Sequence, residues 1–227
     1  MYHSVGDNKS FFTTTQDNFE WQMKYLFLNK YHVDTLENVL KNKIGIALTF
    51  DDGYLDNLEN VLPIIEKYKF PISIFIPTGL IGKMYLNSSG ESLQIMNENQ
   101  IKEILKSDLV TIYPHSHLHK VSTGMSLEEF EIDVSKSLEI IRSLGGKMDI
   151  FCYPKGKIGD GTKEVLKKLD FKYALSVKNG DLETSVDDFE INRIPIDSKV
   201  GKIKFKIYMS NYLEQFLKIK KLFRKIL

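Results

Sequence analysis

Short β-branched runs alternate with longer helix-patterned segments along most of this chain, and that alternation limits its fold more than any other feature. Residues 44–50, 72–76, 109–113, 149–153, 172–177 and 191–196 read as strands. Between them, Leu58, Leu62 and Ile65 share one helical face, as do Ile101, Ile104 and Leu105, and then Leu127, Phe130, Val134, Leu138 and Ile141. Thr15 ahead of 16–29, and Ser126 followed by Glu128 and Glu129, are helix-start signals. Strand–helix alternation of this kind predicts an α/β fold, with a parallel sheet covered by helices as a barrel or an open doubly wound sheet. No repeat, low-complexity tract or linker divides the alternating region. Residues 79–90 are the most loop-like stretch and are placed to cover a site.

Composition narrows the classes. With 42% apolar and 27% charged residues the chain is ordinary globular protein, and its single cysteine, Cys152, excludes a disulfide framework or a Cys-rich zinc module. No apolar run reaches the roughly 18 residues of a membrane span, and the first residues lack a signal-peptide pattern. The expectation is a cytoplasmic protein, or an extracytoplasmic one if a leader has been removed. Charge divides unevenly: residues 199–227 hold eight lysines and one arginine against one glutamate, a net +8, so with +1 overall residues 1–198 carry −7. An acidic body does not suit a nucleic-acid groove; it suits a catalytic domain (1–198) with a basic docking tail (199–227). In that tail Tyr212, Phe216, Ile219, Phe223 and Ile226 form a helical stripe among Lys218, Lys220, Lys221, Arg224 and Lys225. Such a helix can lie on an anionic membrane surface, which would make the protein peripheral at the inner membrane face, or pack against the body.

Two clusters carry the chemistry, both at strand ends, where parallel α/β folds place their sites. Thr49-Phe50-Asp51-Asp52-Gly53 closes an apolar strand with two adjacent carboxylates. Their side chains diverge on an extended backbone, which suits one to a cation and its neighbour to a proton; the alternative is a plain Asp-Gly turn. His115-Ser116-His117-Leu118-His119 holds three of the chain's five histidines. Two imidazoles four positions apart can hold a divalent cation, zinc being the usual choice for nitrogen ligands. His115 and His119 are the expected ligands, with His117 packed behind them or exposed.

Taken in order, these motifs resemble the polysaccharide deacetylase family, carbohydrate esterase family 4. The similarity runs over residues 2–196, through Tyr2-His3-Ser4-Val5, 48–58, 68–82, 115–119, 151–156 and 192–196. The resemblance implies a distorted barrel of about seven strands and a divalent metal, zinc by default, held by Asp52, His115 and His119. It also implies that Asp51 is the general base and that Arg193 orients it or holds it as an anion. An arginine on a terminal strand is otherwise more often part of a surface ion pair. The segment Phe151-Cys152-Tyr153-Pro154-Lys155-Gly156 corresponds to the third family motif. It makes Tyr153, Pro154 and Lys155 substrate-binding or oxyanion candidates, with a backbone N–H near Lys155 as the donor.

The chain departs from the family pattern at Lys120, where many members have proline, and at Lys155, where an aromatic is usual. No histidine follows His119, so the usual C-terminal acid motif is missing. A subgroup that includes the biofilm poly-N-acetylglucosamine deacetylases has its motifs circularly permuted, and there His3 occupies the place of the acid. The expected function is metal-dependent removal of N-acetyl groups from an amino sugar in a glycan or lipid-linked saccharide. The alternatives are an O-acetyl esterase or other amide hydrolase on the same scaffold, and a carbohydrate-binding protein with a dead site.

Overall fold

The computed structural model describes residues 1–210. The tail stripe from Tyr212 to Ile226 lies outside the described residues. Six strands follow the sequence pattern closely: β3 (Leu48–Asp51), β4 (Ile72–Ile76), β7 (Val110–Pro114), β8 (Ile150–Cys152), β9 (Tyr173–Asn179) and β10 (Ile191–Arg193). They form two parallel three-stranded sheets, β3-β4-β7 and β10-β9-β8. Four short strands complete the set: β1 (Ser4–Val5) paired parallel with β2 (Thr13–Thr14), and the antiparallel hairpin of β5 (Met84–Leu86) and β6 (Ser92–Gln94). The hairpin's first strand and most of its turn fall in the stretch 79–90 expected to be a loop, and β6 lies just beyond it. The helices are α1 (Gln16–Leu28), α2 (Leu36–Asn42), α3 (Leu62–Tyr68), α4 (Glu98–Ile104), α5 (Leu127–Ser143), α6 (Thr162–Lys168) and α7 (Lys202–Tyr208). The protein is therefore α/β with parallel sheets.

Helix starts obey local chemistry. Thr15 accepts from the Asn18 N–H at the head of α1, and Ser126 and Glu129 form a reciprocal capping box at the head of α5. Period-2 alternation sorts the strand residues into two buried faces. Leu48, Phe50, Ile72, Ile74, Ile76 and Ile112 pack outward in the main core with Phe19, Met23 and Ile65 from the helices. Phe75, Tyr113, Cys152, Leu175 and Ile191 pack inward in a second cluster. Because side chains two apart share a face, Asp51 follows Thr49 inward, His115 follows Tyr113, and Arg193 follows Ile191.

The N-terminal segment joins the two sheets. Tyr2 lies beside β3, its N–H donating to Thr49 O at 2.7 Å and its carbonyl accepting from Asp51 N–H at 3.0 Å. On its other side Met1 O accepts from Ile196 N–H at 2.9 Å, just beyond β10. This register sets His3 next to the Asp51–Asp52 pair. At the opposite end of the described chain, Phe205 and Tyr208 of α7 are buried in the main core, so the beginning of the basic tail is part of the packed body.

Asp56 anchors the segment that carries His3. Its Oδ2 accepts from Ser4 Oγ at 2.5 Å, and the neighbouring Asn57 donates to His3 O at 3.0 Å. Burial pushes the Asp56 carboxyl up from 3.8 to about 6, against the opposing pull of its hydrogen bonds. The folded chain then holds this proton more tightly than the unfolded chain, so the contribution of Asp56 to stability falls as pH rises between about 4 and 6, against the opposite contribution of the lowered His115 and His3. Asp56→Asn should remove that contribution. Discounted for partial exposure, wild type should lose about 1–2 kcal/mol more unfolding free energy than the variant between pH 4 and 7. Urea titrations at both pH values measure this, and an equal change in both proteins would contradict it.

Candidate functional site

Asp51 ends β3 facing inward, and Arg193 ends β10 facing it. Arg193 donates Nη1–H to Oδ1 and Nη2–H to Oδ2, both at 2.7 Å. Arg193 is only 7% exposed, so this is a buried fork rather than a surface pair. Its remaining donors reach Ser176 O from Nε at 2.7 Å, Cys152 Sγ from Nη2 at 3.1 Å and, more distantly, Thr49 Oγ1 from Nη1 at 3.4 Å. Burial alone would raise the Asp51 carboxyl, but the guanidinium reverses this and holds it well below the usual carboxylate range.

Asp52 leaves the strand in a left-handed conformation, φ 72°, and Gly53 follows at φ 66°. The turn separates the two carboxylates: Asp51 keeps the strand's inward direction while Asp52 faces the histidine loop. Asp52 Oδ1 lies 3.2 Å from His119 Nε2 and 3.7 Å from His115 Nε2. Burial raises Asp52 as well, and the imidazoles, His119 foremost, more than offset it, leaving the carboxyl low. Burial pushes His115 down to about 4, so it is a neutral imidazole at pH 7. Its Nδ1–H donates to Cys152 O at 2.7 Å, which leaves the Nε2 lone pair facing Asp52.

The histidine loop turns twice through left-handed residues, Ser116 (φ 65°) and His119 (φ 55°). Asp133, buried on α5, holds it by accepting from the N–H groups of His117 at 2.9 Å and Leu118 at 2.8 Å. Asp133 lies between Phe130 and Val134 on the buried helix face, a carboxylate where the pattern calls for an apolar residue. That misplacement was its only signal in the sequence. His117 turns away from the ligand group and meets Thr78 Oγ1 through Nδ1 at 3.0 Å.

One oxygen of Asp52 and one nitrogen each of His115 and His119 lie within 4.8 Å of one another. Two imidazole nitrogens and a carboxylate oxygen, with their side chains buried and the His115 tautomer fixed, fit a borderline divalent cation such as zinc. Asp51, His115 and Cys152 also converge within 4.8 Å. That group is a poor rival, because Arg193 occupies both Asp51 oxygens and burial pushes the Cys152 thiol well up.

A cavity of about 400 Å³ opens over the cluster, bordered by His3, Phe12, Tyr85, Asn87 and Lys155 as well as both aspartates and both histidines. His3 Nε2 stands 4.0 Å from Asp51 Oδ2. Burial lowers His3 below its ordinary value despite the pull of Asp51, so it rests neutral at pH 7. Lys155 adopts φ 55°, and Gly156 at φ 61° lets this turn approach β9; a Cβ on Gly156 would stand 2.5 Å from Val177 N. Tyr153 does not line the cavity. Its side chain is fully buried with Phe151, Phe130 and Leu166, because a residue two places from Phe151 shares the helix-covered face. Pro154 is buried too. A larger cavity of about 740 Å³ reaches the other side of Arg193, lined by aliphatic residues such as Leu36, Leu40 and Leu48 together with charged ones such as Lys43, Asp181 and Glu183.

The polysaccharide deacetylase family model matches residues 39–174. The poly-beta-1,6-N-acetyl-D-glucosamine N-deacetylase of Staphylococcus aureus is 29% identical over 201 residues, covering 82% of this chain and 68% of that protein. The solved structure of IcaB from Ammonifex degensii superposes with a TM-score of 0.74 at 23% identity, over 86% of this chain and 89% of that one. The Streptococcus pyogenes deacetylase PplD, solved with acetate, gives a TM-score of 0.76 at 20% identity, over 92% and 96%. These structural likenesses show a shared fold.

Asp133→Ala should leave two part-buried N–H groups without their acceptor, costing about 1–2 kcal/mol in urea unfolding and weakening any zinc binding at the histidine loop. His117→Ala should change zinc affinity far less. A stronger effect from His117→Ala than from Asp133→Ala would contradict the assignment of His117 outside the ligand set.

Proposed function

The chain belongs to the polysaccharide deacetylase family, and from that premise we propose that it is a metal-dependent hydrolase removing N-acetyl groups from an amino-sugar glycan. The relative named for poly-β-1,6-N-acetylglucosamine supports that polymer as the first substrate to test. One observation carries the reading: a buried Asp52–His115–His119 donor set and an Arg193-held Asp51 share the floor of one sugar-sized cavity. We also take the two parallel sheets, with Met1 and Tyr2 between them, as arcs of one distorted barrel.

In the proposed mechanism Asp52, His115 and His119 hold the cation, which when bound polarises the acetamide carbonyl and lowers the pKa of water. Asp51 accepts the proton of the attacking water. Arg193 donates to each of its oxygens, the Cys152 thiol makes a long contact of 3.7 Å to Oδ2, and Oδ2 is also the oxygen that faces His3. The fork makes Asp51 a weak base, so the proton does not rest there. It passes to His3 Nε2, a stronger base 4.0 Å away, once that gap closes to hydrogen-bond distance. His3 then delivers the proton to the departing nitrogen, which leaves poorly as an anion. In this relay a resting neutral His3 is the required state, since its proton is acquired within the turnover. The Lys155 backbone N–H serves as an oxyanion donor.

Acetate release from N-acetylglucosamine oligomers, β-1,6-linked and β-1,4-linked, tests the reading. Activity should vanish with chelator and return with zinc. Acetate released at an undiminished rate under chelation would remove the metal-dependent mechanism, and release only from O-acetyl esters would favour the esterase alternative. Asp51→Asn should keep zinc yet lose turnover. His3→Ala should keep zinc and fold but lower kcat by about 100-fold or more, with less loss on a substrate bearing a better leaving group. Unchanged kcat in His3→Ala would eliminate the relay.

A further inference from the structure

Two phenols touch the donor set from outside it. Tyr54 is fully buried and donates its O–H to Asp52 Oδ2 at 2.9 Å. The other oxygen, Oδ1, is the one that faces His119 and His115. Tyr85 places its hydroxyl 2.9 Å from His119 Nδ1, with the two rings edge-on at 5.2 Å and 83°. Tyr54 directly follows the Asp51-Asp52-Gly53 turn, and Tyr85 lies outside the segments that carry the family resemblance.

We infer that Tyr54 and Tyr85 are positioning residues of the cation site. Tyr54 caps Asp52 Oδ2 so that the carboxylate offers one oxygen, and Tyr85 accepts from His119 Nδ1–H so that Nε2 carries the free lone pair. The first contact keeps coordination positions open for water and substrate. The second selects the tautomer of His119, as Cys152 O does for His115.

Both phenols depend on the β5–β6 hairpin. Tyr85 is the middle residue of β5, opposite Leu93. Tyr54 bridges to Ile95 just after β6, Leu55 N–H donates to Gln94 O at 2.8 Å, and Met96 N–H donates to Gly53 O at 3.0 Å. The hairpin is therefore stitched to the turn that delivers Asp52, and its own side chain supports His119. Asn87, in the loop between its strands, borders the cavity. Linkage makes this coupling reciprocal: if Tyr85 strengthens cation binding, the bound cation steadies the hairpin to the same degree.

This inference rests on the cation site proposed above, and the test separates the two. Zinc affinity is measured by calorimetric titration of the full chain for wild type, Asp52→Ala, Tyr54→Phe and Tyr85→Phe. Hydrogen exchange of residues 84–94 is followed with and without zinc, and the cobalt(II) absorption spectrum is recorded for each binding variant. Tyr54→Phe and Tyr85→Phe should each bind zinc about 10- to 100-fold more weakly. Zinc should slow exchange across the hairpin in wild type and much less in Tyr85→Phe. Tyr54→Phe should also change the cobalt spectrum, because a freed Oδ2 raises the coordination number, a signature that lost packing alone would not produce. Wild-type affinity in both phenylalanine variants, with no binding by Asp52→Ala, would overturn the inference and leave the site standing. Undiminished binding by Asp52→Ala would instead overturn the site itself.

Discussion

The fork between Arg193 and Asp51 is the interaction on which the site depends. It joins the ends of β10 and β3, so it spans the two parallel sheets at the place where the cavity opens. Burying two charges is costly, and a pair of this kind persists only when its geometry is good and its spare donors are used. Here Ser176 O and Cys152 Sγ take them. Such a pair is weak evidence for stability; its value is in fixing which way one carboxylate points.

That direction resolves a conflict written into the sequence. Asp51 and Asp52 are neighbours at a strand end, buried, and of like charge. Left facing one another they would force a proton onto one of them. The strand's alternation carries Asp51 inward to a guanidinium, and the left-handed turn at Asp52 carries the second carboxylate to two imidazoles. Each anion acquires its own compensating partner. The proposed base and the proposed cation ligand therefore occupy adjacent positions of the chain, and His3 is drawn beside them by the pairing of Tyr2 with β3.

Much of this was legible because it follows from period and position. The six long-range strands were marked by β-branched runs, and Asp51-Asp52 and His115 to His119 were marked by residue type at strand ends. The capping box at Ser126 and Glu129 was signalled by Ser126 and its trailing glutamates. Tyr153, a cleft candidate through the family resemblance, packs instead on the face that Phe151, two places earlier, already marks. The β1–β2 pair and the β5–β6 hairpin, two or three residues per strand, are too short for any periodic signal. Arg193 had a role only through family resemblance, since nothing local separates a buried arginine from the exposed kind that terminal strands usually carry. Asp133 and Tyr85 could not be assigned from sequence, because their importance comes from partners 15 and 34 positions away.

Anomalous scattering from crystals grown with zinc tests the central claim most directly. The account predicts one peak at the cavity floor, about 2.0–2.2 Å from Asp52 Oδ1, His115 Nε2 and His119 Nε2. Asp51 should remain forked to Arg193 and outside the coordination shell. A zinc ion ligated by Asp51 and Cys152, or one held at His117 instead of His119, would contradict it.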